Sequence, residues 1–93
     1  MPKSRPPLEV WHNIRRIIWS RDKHQCVHCG RKITLSEAEI DHIVSGKLGT
    51  NKFSNLRTLC KVCHATRLDH RHRVVARNAL RDGLINADWE PWE

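Results

Sequence analysis

Apolar residues return at helical spacing from Leu8 to about Ser20, at Val10, Trp11, Ile14, Ile17 and Ile18, while Arg15, Arg16 and Arg21 lie largely off that stripe. A one-sided stripe predicts an amphipathic helix whose Trp and Ile face packs on a zinc module formed by cysteines farther along the chain. The pattern then changes: Glu39-Ile40-Asp41-His42-Ile43-Val44 is a short β-like run, and Ser45 to Asn51 reads as a loop punctuated by Gly46 and Gly49. Phe53 to Leu59 predicts a short return strand or turn. From Cys60 a helical stretch runs through about His70, and Val74, Val75, Ala79 and Leu80 predict more helix, ended by Asp82-Gly83. Three prolines among the first seven residues make 1–7 an extended, mobile arm. Residues 8–83 then form one domain, and 84–93, with Trp89 and Trp92, an acidic and aromatic tail.

Two Cys-x-x-Cys pairs interrupt this pattern, Cys26 with Cys29 and Cys60 with Cys63, separated by 30 intervening residues. Gly30 permits a tight turn after the first pair. A chain of 93 residues buries a limited core and commonly needs a staple, either disulfides or a metal. The spacing favours the metal, because two such knuckles can bring four thiolates to the vertices of the tetrahedron that zinc prefers. The opening residues Met1 to Pro7 lack the apolar stretch of a secretory signal, so a reducing cytoplasm is expected, and there paired cysteines more often hold metal than form disulfides. The predicted order is helix, knuckle, strand, loop, strand, knuckle, helix, with structural zinc tying the two ends of a hairpin.

Charge narrows the partner. A formal charge of +7 suits a polyanion, nucleic acid first, although a solvated basic surface would look the same. No run of about 18 apolar residues is present, so no membrane span is expected.

Between the knuckles stand residues with chemical uses. Asp41-His42 is followed by Asn55 thirteen residues on and by His64 nine residues later. An imidazole can act as a general base, and a carboxylate with a second imidazole can hold a divalent cation with positions left open. Each residue alone has an ordinary reading: a turn or capping Asp, a surface His, a turn-forming Asn, and in His64 a rival zinc ligand in place of Cys63. His28, inside the first knuckle, could be an alternative ligand and reads as exposed and inert. On a straight strand Asp41 and His42 point to opposite faces, so the strand must end or bend there if both serve one site. Cys63 and His64, if helical, project about 100° apart, which predicts two separate metal sites.

Taken in order, Glu39-Ile40-Asp41-His42-Ile43, Asn55-Leu56 and Leu59-Cys60-Lys61-Val62-Cys63-His64 resemble the HNH endonuclease family over about Cys26 to His64. The resemblance implies an α+β fold, a small zinc-stapled ββα-metal domain with an N-terminal helix and a C-terminal helical extension. It implies His42 as the general base, Asp41 and His64 as ligands of a catalytic divalent ion such as Mg²⁺ or Mn²⁺, and Asn55 as a residue that fixes the active-site loop or joins the metal shell. The implied reaction is hydrolysis of a DNA phosphodiester, as a nick or a double-strand cut, in a bacterial or phage-infected cell. The sequence departs from the family in the loop Val44-Ser45-Gly46-Lys47-Leu48-Gly49, where Pro and Gly-Gly are common, and at Ala65-Thr66-Arg67, where Lys-Thr is common. Lys47, Arg57 and Arg67 are the expected DNA-backbone contacts, the alternative being ordinary surface charge. Two other functions fit the same residues: a non-catalytic zinc module binding nucleic acid or protein, and a subunit active only with a partner such as phage packaging machinery.

Overall fold

The two extended runs pair in a computed structural model of the chain, which describes residues 7–44, 49–67 and 73–92. Strand β1 (Glu39–His42) lies antiparallel to β2 (Leu56–Leu59), with Glu39 opposite Leu59, Ile40 opposite Thr58, Asp41 opposite Arg57 and His42 opposite Leu56. Helix α1 (Leu8–Arg21) precedes the hairpin, α2 (Lys61–Thr66) follows it directly, and α3 (Arg73–Arg81) comes after. Short 3-10 turns at Leu35–Glu37 and Phe53–Asn55 lead into the two strands. This is the expected α+β arrangement, compatible with a ββα-metal fold.

Side-chain alternation along the strands separates two layers. Ile40 and Leu56 face α1 and pack with Trp11, Ile14 and Ile18. On the opposite face Leu59 packs with Cys26, Ile33, Ala38, Cys60 and Cys63, flanked by Trp19, Val62 and Trp92. Cys26, Cys60 and Cys63 are therefore part of a hydrophobic core, whereas Cys29 is exposed. The far edge of β2 is covered: the Thr58 amide donates to Asp22 Oδ2 at 2.9 Å, and the Val27 amide donates to the Thr58 carbonyl at 3.0 Å. Those two bonds occupy an edge that would otherwise offer unpaired backbone groups.

Two expectations need correcting. The buried stripe of α1 is narrower than the sequence pattern, because a two-stranded sheet covers little of a helix: Trp11 and Ile18 are buried, whereas Val10 and Ile17 are 45% and 47% exposed. Two of the arginines beside the stripe bond to the turns before the strands. Arg15 donates to the carbonyls of Leu35 and Ala38 at 2.8 and 2.9 Å, and Arg21 to those of Phe53 and Leu56 at 2.8 and 2.7 Å, stitching α1 to both turns. Helix α2 ends at Thr66 rather than near His70, since Arg67 is extended (φ −68°, ψ 149°). The arm before Pro7, and His70 and His72, lie outside the described residues.

Leaving α1, the chain passes through Lys23 and His24, both with positive φ near 60°, a conformation uncommon for residues with a Cβ. His24 stacks on Trp19 at 3.8 Å, which holds the reversal that delivers Cys26 to the core. The Gln25–Lys32 bridge and the Cys26 amide bond to Arg31 O close the first knuckle, with Gly30 at φ +78° as its corner.

Candidate functional site

Four thiols converge where the knuckles meet. The Sγ atoms of Cys26, Cys29, Cys60 and Cys63 all lie within 4.8 Å of one another, and Cys29 and Cys60 are 3.9 Å apart. Zinc–sulfur bonds of about 2.3 Å place tetrahedral sulfurs roughly 3.8 Å apart, so this set could hold one zinc ion. The Cys29 amide points at Cys26 Sγ (3.5 Å) and the Cys63 amide at Cys60 Sγ (3.4 Å), the arrangement that favours negative sulfur. Burial raises the Cys26 thiol, but amides of Cys29, Cys60 and His28 outweigh it and bring its pKa to about 7. Burial drives Cys63 the other way, helped by the neighbouring Cys60 and Cys26 sulfurs, and burial likewise raises Cys60. Protein groups thus favour the thiolate at Cys26 and oppose it at Cys60 and Cys63; a cation held by the four sulfurs would favour their charged form. His64 lies outside the sulfur cluster and faces the strands, so the alternative in which it replaces Cys63 finds no support in the geometry.

On that same sheet face, Asp41 is 2% exposed yet charged, and its partners come from three elements. Arg57, opposite it in register, donates Nε–H to Oδ2 at 2.8 Å. Arg67, just past α2, places Nη1 at 2.7 and 2.6 Å from the two carboxylate oxygens, and it also donates to the carbonyls of His42 (2.8 Å) and Ile43 (3.2 Å). His64 approaches from α2 with Nε2 at 3.6 Å from Asp41 Oδ1, while its Nδ1 is 3.6 Å from Glu39 Oε1. The His64 imidazole, followed by burial as an opposing influence, holds the Glu39 carboxyl below its ordinary range. Glu39, which the sequence reading quoted only as part of a motif, thus flanks His64 opposite Asp41. Alternation in β1 carries the signal that could have found it, since residues 39 and 41 share a face.

Could Asp41 and His64 hold a divalent ion? Ligands about 2.1 Å from one ion are separated by roughly 3.0 to 3.5 Å in octahedral or tetrahedral geometry. The observed 3.6 Å between Oδ1 and Nε2 fits two ligands of one ion with little movement. Each carboxylate oxygen has room for two partners, and Oδ1 keeps one direction for His64 beside its bond from Arg67. The two guanidiniums lower the carboxylate's net attraction for a further cation, so affinity through this pair would be weak.

His42 occupies the other face. Its ring lies parallel to Trp11, 4° between planes and 6.1 Å between centroids, and Nε2 is 2.8 Å from Asn51 Oδ1. With the amide oxygen accepting, Nε2 carries the proton and Nδ1 retains the lone pair. Asp41 and His42 therefore point to opposite sides of β1, which ends at His42. Asn55 acts on the backbone: Oδ1 accepts from the Val44 amide (2.8 Å), and Nδ2 donates to the carbonyls of Val44 (3.0 Å) and Thr50 (2.8 Å). It pins both ends of the loop that follows His42. Of its two expected roles, these bonds match loop fixation.

The expected DNA contacts fare differently. Lys47 lies outside the described residues. Arg67 is 6% exposed, its guanidinium turned inward onto Asp41 rather than outward. Arg57 is likewise committed to Asp41, with its guanidinium 5.2 Å from the centre of the Trp92 ring. A buried carboxylate that would otherwise be uncompensated draws both cations inward.

Comparison with known proteins bears on this arrangement. Residues 26–70 match the family model for HNH endonuclease. A curated relative, the CRISPR-associated endonuclease Cas9 of Corynebacterium diphtheriae, is 35% identical over 66 residues, which is 69% of this chain and 6% of that protein's length. No solved structure matches the chain. No helix among the described residues is long and apolar enough to cross a membrane.

Proposed function

We propose, from the match of residues 26–70 to the HNH endonuclease family, that the protein hydrolyses DNA phosphodiester bonds, with His42 as the general base and the Cys26, Cys29, Cys60 and Cys63 cluster as a structural zinc site. The observation that carries this reading is the held imidazole at the end of β1, stacked on Trp11 and hydrogen-bonded through Nε2 to Asn51. That bond fixes the tautomer in which Nδ1 can take a proton from water, and Trp11 restricts rotation of the ring. Asn51 is thus a positioning residue for the base. Asn55 holds the backbone on either side of the loop that starts beside His42.

Asp41 Oδ1 and His64 Nε2, with Glu39 behind the imidazole, are the residues that would hold a catalytic divalent ion. Such an ion, when bound, supplies Lewis-acid neutralisation of charge at the phosphoryl and leaving oxygens. Arg67, through its bonds to Asp41 and to the His42 and Ile43 carbonyls, fixes the relation between that ligand pair and the base across the strand. The chain's charge of +7 suits the polyanionic substrate.

The test is nicking of supercoiled plasmid by the zinc-loaded protein with added Mg²⁺ or Mn²⁺. Wild type should convert plasmid to open circles and His42→Ala should not; equal conversion by the two proteins would sink the assignment of His42.

A further inference from the structure

The acidic, aromatic tail has no part in the chemistry above, yet Trp92 is bonded into the fold. Helix α2 carries Cys63 and His64 and is only six residues long, so its unpaired terminal carbonyls bear strongly on its stability. At the end of this short helix the Cys63 carbonyl accepts from the Thr66 hydroxyl at 3.5 Å and has room for a second, closer donor. Trp92 Nε1 supplies it at 2.7 Å, and the Trp92 amide donates to the Thr66 carbonyl at 3.3 Å. The Thr66 hydroxyl adds a bond to Val62 O at 2.8 Å. The same indole stacks on His28 of the first knuckle, with ring centroids 3.8 Å apart and 19° between planes, and packs on the cysteine cluster. The Arg57 guanidinium lies over the Trp92 ring while Nε bonds Asp41.

We propose that Trp92 is a positioning residue, a latch that caps α2 from outside, closes over the cysteine cluster and steadies Arg57 against Asp41. One side chain thereby touches both knuckles and a partner of the proposed catalytic carboxylate. His28, read from sequence as inert, is the latch's contact on the first knuckle. The part that concerns Arg57 rests on the nuclease reading; the part that concerns the cysteine cluster does not.

The experiment compares zinc-loaded full-length wild type with Trp92→Ala, Trp92→Phe and, as control, Trp89→Ala. Zinc release to a chromogenic chelator and plasmid nicking are both measured. Loss of groups that support metal ligands commonly costs tenfold or more in metal affinity. Trp92→Ala should therefore release zinc at least about tenfold faster and lower kcat by about tenfold, with KM for plasmid nearly unchanged. Trp92→Phe keeps a ring for His28 and Arg57 but loses the N–H donor, so it should release zinc faster than wild type while retaining kcat. Trp89→Ala should match wild type in both assays. Wild-type release rates in both Trp92 variants would overturn the latch. If Trp92→Ala does not fold, Trp92→Phe decides, and a wild-type release rate there would overturn it. Absence of nicking by every protein, wild type included, would refute the nuclease reading and leave the release rates to judge the latch.

Discussion

Replacing Arg67 by Met should destabilise the fold far more than removal of a surface arginine. The side chain is 6% exposed and its guanidinium contacts both oxygens of Asp41 and the carbonyls of His42 and Ile43. Met approximates the volume but leaves a carboxylate that is 2% exposed with Arg57 as its remaining guanidinium partner. Breaking a buried ion pair from one side costs about 3–5 kcal/mol, much of it from the charge left behind. The total stability of a domain this size is about 5–15 kcal/mol. Loss of 3 kcal/mol corresponds to a fall in Tm of at least about 12 °C for a chain of this length. The assay is thermal and urea unfolding of zinc-loaded protein for wild type, Arg67→Met, Asp41→Asn and the double variant. Since Asn carries no charge to strand, the double variant should be more stable than the sum of the single losses implies, with a coupling of at least about 1.5 kcal/mol. A single-variant loss below about 1 kcal/mol, in the range of exposed pairs, would refute the argument, as would simple additivity.

Replacing the proposed zinc ligand Cys60 by Ser should unfold the chain at 25 °C, because a structural zinc contributes on the order of 10 kcal/mol; far-UV circular dichroism with and without chelator on wild type provides the comparison. His42→Ala should lower nicking by about a hundred- to ten-thousand-fold while Tm stays within about 8 °C of wild type, the shift expected for up to roughly 1 kcal/mol. Asn51→Ala should also slow nicking, but have no further effect in the His42→Ala background, since its influence passes through that imidazole. Glu37 closes a capping box with Thr34, accepting from its amide and hydroxyl at 2.9 Å, and the Thr34 amide bond foremost lowers its carboxyl pKa. A depressed folded-state pKa gives stability that is present above the unfolded value and lost as pH falls through the folded one. Wild type should therefore exceed Glu37→Gln in Tm at pH 7, and the difference should shrink on acidification below the ordinary carboxylate range; a gap unchanged by pH would contradict the capping role.

What was legible in the sequence was local. The two Cys-x-x-Cys knuckles place four ligands by spacing alone, and alternation across Glu39 to His42 announces a strand whose adjacent residues face apart. The order of elements followed from these, as did the separation of His64 from Cys63 around α2. Contacts made by long side chains across the fold were not legible. Arg57 and Arg67 bond Asp41 from 16 and 26 residues away, and nothing in their neighbourhood distinguishes them from surface cations. Burial of the carboxylate makes the difference, and burial is a property of the assembled layers. Asn51 was hidden for a similar reason: it sits in a segment that reads as loop, and its bond to His42 joins residues nine apart in sequence.

Strand parity explains why the site needs so many supports. The proposed base and the proposed metal ligand are adjacent on one strand and face opposite layers, so no single packing cluster can fix them both. Trp11 and Asn51 hold His42 on the α1 side, while Arg57, Arg67 and His64 surround Asp41 on the α2 side. Arg67 is the group here that reaches across, bonding the Asp41 carboxylate and the His42 carbonyl with one nitrogen. The position that sequence reading assigned to phosphate binding therefore joins the two halves of the proposed site. A lysine there has one ammonium and no planar fork, so it could neutralise Asp41 but would hold fewer of those bonds in a fixed geometry. The arginine thus specifies the relative placement of base and ligand as well as compensating a buried charge.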